Sequence, residues 1–240
     1  AQLENADAHI NYMAAVGLTI IAQDKSSTDR KRLVEPLTNW CRKRQICFYP
    51  LTEYLGQHGD AETGRALLEV LKSQAPNRGE SHLIGAIQKL KPAGALPVLQ
   101  RNVRAYVDRY KGRYGPPVEL GAMSEFGDPG TQAVFAILTD IDQLNIQLSA
   151  AGILARKKHK PAAEPIAALL QRTIDSGPTN QKLNRRSSES KEQAFVRTCA
   201  SLLKSLATLD NQQAKKIAED VIRNGPKSIR AECLKVWAAK

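Results

Sequence analysis

Apolar residues recur every three or four positions along most of this chain, and short polar turns interrupt them. That spacing puts the apolar side chains of each run on one helical face. Leu3–Gln23 is the first run, with Ile10, Met13, Ala14, Gly17, Leu18 and Ile21 sharing a face. Lys31–Arg44 turns Leu33, Val34, Leu37 and Cys41 inward, with Pro36 marking a kink or a first turn. Cys47–Leu55 and Ala61–Ser73 follow, the second with Leu67, Leu68, Val70 and Leu71 as its apolar stripe. Ser81–Leu90, Ala95–Tyr114, Val118–Phe126, Thr131–Ile141, Leu144–Arg156 and Ala162–Ile174 continue the pattern. Glu189–Leu209, Gln212–Asn224 and Ile229–Ala238 complete it.

The runs come in pairs. Turns within the pairs fall near Asp29, Asp60, Pro92, Asp128, Pro161 and Asp210. Their spacing is about 31–36 residues once the polar stretch 176–188 is set aside as a flexible insert. One pair of helices cannot bury its apolar stripe alone, whereas stacked pairs share a continuous core. The expected fold class is therefore all-α. The architecture expected is an α-α superhelix (solenoid) of about six helix pairs plus a terminal helix. The units fall at residues 1–46, 47–79, 80–115, 116–142, 143–177 and 189–225, with a half-unit at 226–240.

Residues after the turns rhyme. Ala61-Glu-Thr-Gly-Arg-Ala-Leu-Leu68, Ala93-Gly-Ala-Leu-Pro-Val-Leu99 and Ala162-Ala-Glu-Pro-Ile-Ala-Ala-Leu169 repeat one theme. Gly59-Asp60 and Gly127-Asp128 resemble the Gly-Asp turn of HEAT repeats, of the short kind found in phycobilisome lyases. Glu164–Leu169 and Ala95–Leu99 resemble the second helix of that family. The landmarks of tetratricopeptide repeats are not apparent. The resemblance implies a protein-interaction scaffold or adaptor that holds a partner on a concave surface lined by second helices. On that expectation Arg101, Arg104, Asp108, Glu164, Gln171 and Arg172 contact the partner. A HEAT-like lyase is a further reading.

Composition adds a charge. The 240 residues hold 35 Lys and Arg against 24 Asp and Glu, a formal charge of +11. Such a balance favours an acidic protein partner or nucleic acid. Cations cluster at Arg104, Arg109, Lys111 and Arg113, at Arg156, Lys157, Lys158 and Lys160, and at Arg185 and Arg186. Tyr106, Tyr110 and Tyr114 interleave with the first cluster, and aromatic rings among cations can stack exposed bases. Nucleic-acid binding is therefore the alternative function.

The sequence nominates no catalytic residue, metal ligand or cofactor. HExxH, GxSxG, P-loop and GxGxxG patterns are missing, and His9, His58, His82 and His159 are scattered. His58 with Glu53 and Glu62 makes a possible local acid–base cluster. No apolar run reaches the roughly 18 residues of a membrane span. Cys41, Cys47, Cys199 and Cys233 form no CxxC pair. They are read either as free buried thiols or as two disulfides. In the second case Cys41 and Cys47 staple a helix end to the next loop, and Cys199 faces Cys233 from a neighbouring unit. The even cysteine count and the Ala-Gln start fit an exported or periplasmic protein, with a cytoplasmic one as the alternative.

Overall fold

The computed structural model describes residues 8–23, 27–74, 81–111, 115–178 and 189–238. Among these it holds thirteen α-helices and no strand. They are α1 (Ala8–Gln23), α2 (Ser27–Arg44), α3 (Tyr49–His58), α4 (Ala61–Ser73), α5 (Ser81–Leu90), α6 (Ala95–Tyr110) and α7 (Val118–Met123). Then come α8 (Gly127–Asp140), α9 (Leu144–Arg156), α10 (Ala163–Ser176), α11 (Lys191–Leu209), α12 (Asn211–Asn224) and α13 (Arg230–Ala238). The chain divides into two compact units, residues 1–106 with 121–126 and residues 107–120 with 127–240.

In the first unit α3 packs on α1 and α5, while α4 packs on α2 and α5. Its interior is aliphatic: Leu37, Leu51, Leu55, Leu67, Leu83, Ile87 and Leu99 are all fully buried. Burial of each such side chain is worth about 1.5–3 kcal/mol. Helices α3 and α5 meet through small residues. A Cβ on Gly56 would stand 3.0 Å from the Ala86 Cα, so glycine sets how closely the two axes approach. Phe48, just before α3, lies between Tyr12 of α1 (4.8 Å between ring centroids) and Trp40 of α2 (5.9 Å).

Helix α4 starts at Asp60, whose carboxylate accepts from the Thr63 N–H (2.9 Å) and hydroxyl (3.2 Å). The Thr63 N–H holds the Asp60 carboxyl below its ordinary range. A lowered pKa means that the cap stabilises the fold above the ordinary carboxylate pKa. This is lost as pH falls through the folded-state value. Asp60→Ala is expected to cost about 1 kcal/mol near neutral pH. Urea midpoints of the two proteins should converge in acid, where the wild-type cap is protonated too. A gap that persists unchanged in acid would reject the role of the charged cap.

In the second unit α11 is central. It packs on α9, α10, α12 and α13, and α9 also receives α8. A capping box starts α11: Ser190 Oγ accepts from the Gln193 N–H (3.1 Å), and Gln193 Oε1 accepts from the Ser190 N–H (2.9 Å). Phe195, Leu202 and Leu206 fill the interior with Ile146, Leu154, Ile166 and Val221. Alanines at 150, 151, 155, 167, 214 and 218 are buried too, and their small side chains let the helices approach closely.

Three local expectations are corrected. Pro36 lies in mid-helix of α2, not in its first turn, and offers no N–H to the carbonyl four residues back. Asp29 belongs to α2, and Gly127-Asp128-Pro129 is the first turn of α8. The turn before α8 is made by Ser124, Glu125 and Phe126, whose N–H groups bond three residues back to Gly121, Ala122 and Met123. Among the described side chains of α1, Ala15 and Thr19 are buried, whereas Met13 and Ile21 are exposed; the Ile10 side chain lies outside those described.

Candidate functional site

The second unit carries an open groove of about 580 Å³ where two interhelical turns lie side by side. Lys160, Pro161, Ala163 and Glu164 line it from the start of α10, and Asp210, Gln212, Gln213 and Lys216 from the start of α12. Each turn has a local cause. Helix α9 ends in a Schellman motif: the His159 N–H bonds the Leu154 carbonyl and the Lys158 N–H the Ala155 carbonyl, both at 3.0 Å. Lys158 takes the left-handed conformation this requires, with φ of 53°. A 3-10 turn, Lys160–Ala162, then leads into α10. At the other turn a single residue suffices. The Asp210 N–H closes α11 onto the Leu206 carbonyl (2.7 Å), and its carboxylate caps α12 through the Gln213 N–H (2.9 Å).

The groove is polar and of mixed sign. Two ammonium groups, Lys160 and Lys216, stand with two carboxylates, Glu164 and Asp210, and two amides, Gln212 and Gln213. No histidine or cysteine lines it, and its side chains offer hydrogen bonds and ion pairs. Among the described residues no group of three His, Cys, Asp or Glu side chains could hold a metal.

Of the residues expected to contact a partner, Glu164 lies in this groove. Gln171 and Arg172 lie farther along the exposed face of α10. There Gln171 donates to Asp175 (2.9 Å) and Arg172 approaches Asp142 at 3.9 Å. Arg101, Arg104 and Asp108 are exposed on α6, where Arg101 donates to the Asn102 side chain at 3.2 Å. Sequence reasoning missed Asp210, Gln212, Gln213 and Lys216. Their position at a pair's turn, equivalent to Lys160-Pro161, was the available signal.

The basic clusters are not brought together into one strip in the second unit. Gln143 Nε2 donates to the Val107 carbonyl (3.0 Å), which sets the end of α6, with Arg109 and Lys111, at the start of α9. Arg156, Lys157, Lys158 and Lys160 lie at or beyond the opposite end of that 13-residue helix. The helix alone spans about 20 Å at 1.5 Å per residue, and its sequence has no Lys or Arg before Arg156. Arg109 covers the Tyr110 ring at 5.4 Å, so that face already carries a cation. Arg113, Tyr114, Arg185, Arg186 and most of the 176–188 insert lie outside the described residues.

Other candidate chemistry is accounted for by packing. Glu62 is ion-paired with Arg65 and Arg42, which hold its carboxyl below the ordinary range. His58 lies against Tyr54 with ring centroids 4.9 Å apart. Burial raises the Cys41 thiol well above its ordinary pKa, which leaves it no thiolate to attack with. No helix among the described residues is long and apolar enough to cross a membrane. No family model, curated protein or solved structure matches the chain.

Proposed function

We propose that the chain is a HEAT-like scaffold that binds a protein partner along its second helices, with the groove between the starts of α10 and α12 as the anchoring site. Thirteen helices among the described residues fit six pairs and one more. Alternate helices stack within each unit: α1, α3 and α5 in the first, α9, α11 and α13 in the second. Both features support the repeat reading.

The observation that carries the choice of partner is the mixed charge of the groove. Glu164 and Asp210 stand beside Lys160 and Lys216. A phosphate backbone would meet two carboxylates as well as two ammonium groups there, so the groove offers it no net attraction. A polypeptide presents both signs along with amide donors and acceptors, and the groove can complement all of them.

Affinity capture tests this. The immobilised chain should retain a defined protein from an extract of its own source cells, and that protein, once purified, should bind the wild-type chain. Charge reversal at both lysines (K160E/K216E) should weaken the purified pair on the order of tenfold or more while circular dichroism stays unchanged. Equal binding by the variant, or steeply salt-dependent binding of labelled nucleic acid in place of any protein, would reject the proposal.

A further inference from the structure

The four cysteines fall into two self-contained pairs, one in each compact unit. Cys199 of α11 and Cys233 of α13 line one small internal space together with Leu170, Ile174, Leu203 and Ile217. Each is only 3% exposed. The same geometry makes each thiol part of the other's surroundings. Burial pushes Cys199 up to about 12, with the nearby Cys233 adding to the rise, and burial pushes Cys233 up to about 11.

The other pair is placed by a helix end. Cys41 sits in the last turns of α2, and Cys47 in the stretch between α2 and α3. Gln45 takes a left-handed conformation (φ 54°) and its side-chain amide donates to the Arg42 carbonyl (2.6 Å). This turns the chain back beyond α2, where Cys47 and Cys41 are both buried, 1% and 0% exposed, and Cys47 is close enough to add to the rise of the Cys41 pKa.

The structure holds all four cysteines as free thiols. We propose that Cys199–Cys233 and Cys41–Cys47 close into two structural disulfides when the chain folds in the presence of a small-molecule disulfide such as glutathione disulfide. One cysteine thiolate attacks a glutathione sulfur and displaces a glutathione thiolate. The second cysteine then attacks the protein-side sulfur of the mixed disulfide and releases the second glutathione. Each pair gives up two protons and two electrons, and the oxidant takes them up as two thiols.

The timing follows from burial. In the folded chain all four thiols are buried out of reach of an oxidant, and burial further disfavours the thiolates of Cys41, Cys199 and Cys233. Exchange therefore belongs to the unfolded or half-folded chain, whose thiols are accessible and of ordinary acidity. Once made, the bonds are equally out of reach of a reductant. These are fixed staples set by the compartment in which folding occurs, and not a reversible switch.

The test uses the full chain, unfolded and reduced, then refolded either with mixed reduced and oxidised glutathione or with reductant alone. After oxidising refolding, no thiol should react with iodoacetamide under non-reducing denaturation. A non-reducing tryptic map should link 41 to 47 and 199 to 233. Trypsin resolves the close pair because Arg42, Lys43 and Arg44 lie between its members. The double variant C41S/C47S should still form the 199–233 bond. Four reactive thiols, or a link between the two pairs, would overturn the proposal. So would a chain that folds only in reductant, because the bonds would then be incompatible with the fold.

Discussion

Phe195→Ala is expected to lower stability by about 3–5 kcal/mol, a large part of the 5–15 kcal/mol typical of a folded protein. Phe195 is fully buried on α11, the helix on which four others in its unit pack. Its neighbours cannot simply close the gap. The helices packed on α11 are each held by other contacts as well, so the missing ring leaves a cavity as well as a lost transfer energy. Thermal unfolding followed by circular dichroism should shift down by roughly 10 °C or more. Amide exchange should quicken first in α9–α13. A shift of only about 2 °C would mean that the unit does not depend on α11 as described.

Gly59→Ala is expected to cost about 1–3 kcal/mol, although the residue is half exposed. Its backbone angles (φ −73°, ψ 170°) suit any residue, so conformation is not the obstacle. Space is. An added Cβ would collide with the Leu55 carbonyl oxygen and stand 2.6 Å from the Thr63 methyl. That carbonyl accepts from the Gly59 N–H (2.8 Å), and Thr63 is tied to Asp60, so neither can yield cheaply. Gly85→Ala provides the contrast. It lies inside α5 with nothing within 4 Å of an added Cβ, and should stabilise by about 0.5–1 kcal/mol. Urea midpoints should move in opposite directions. Parallel shifts would sink the steric argument.

Much of the helical layout was legible because local signals and burial agree. Helices α4, α5 and α9 have the bounds their patterns predict, Ala61–Ser73, Ser81–Leu90 and Leu144–Arg156. Asp60 caps the first, Lys91-Pro92 follows the second, and a Schellman motif ends the third. On α1 the pattern misled. Thr19 is buried because its hydroxyl donates back to the Ala15 carbonyl (2.7 Å), which meets its polar need inside the helix. Met13 and Ile21 are left outside, 53% and 52% exposed.

The groove was only half legible. In the sequence Lys160 and Glu164 belong to different readings, a phosphate-binding cluster and a partner-binding face. The structure puts them in one lining with Asp210, Gln212, Gln213 and Lys216, which come from a turn far along the chain. Periodicity gives the existence of each turn. It does not say which turns become neighbours, since this depends on how the intervening helices stack.

The way helices choose neighbours bears on how the chain is made. Within the units, every substantial packing joins helices adjacent in the chain or one apart. Little entropy is then spent closing long loops, because each helix meets partners synthesised shortly before it. Such low contact order favours fast folding. A chain emerging from the ribosome can build the α1–α5 stack while the rest is still being translated, so apolar faces wait only briefly for cover.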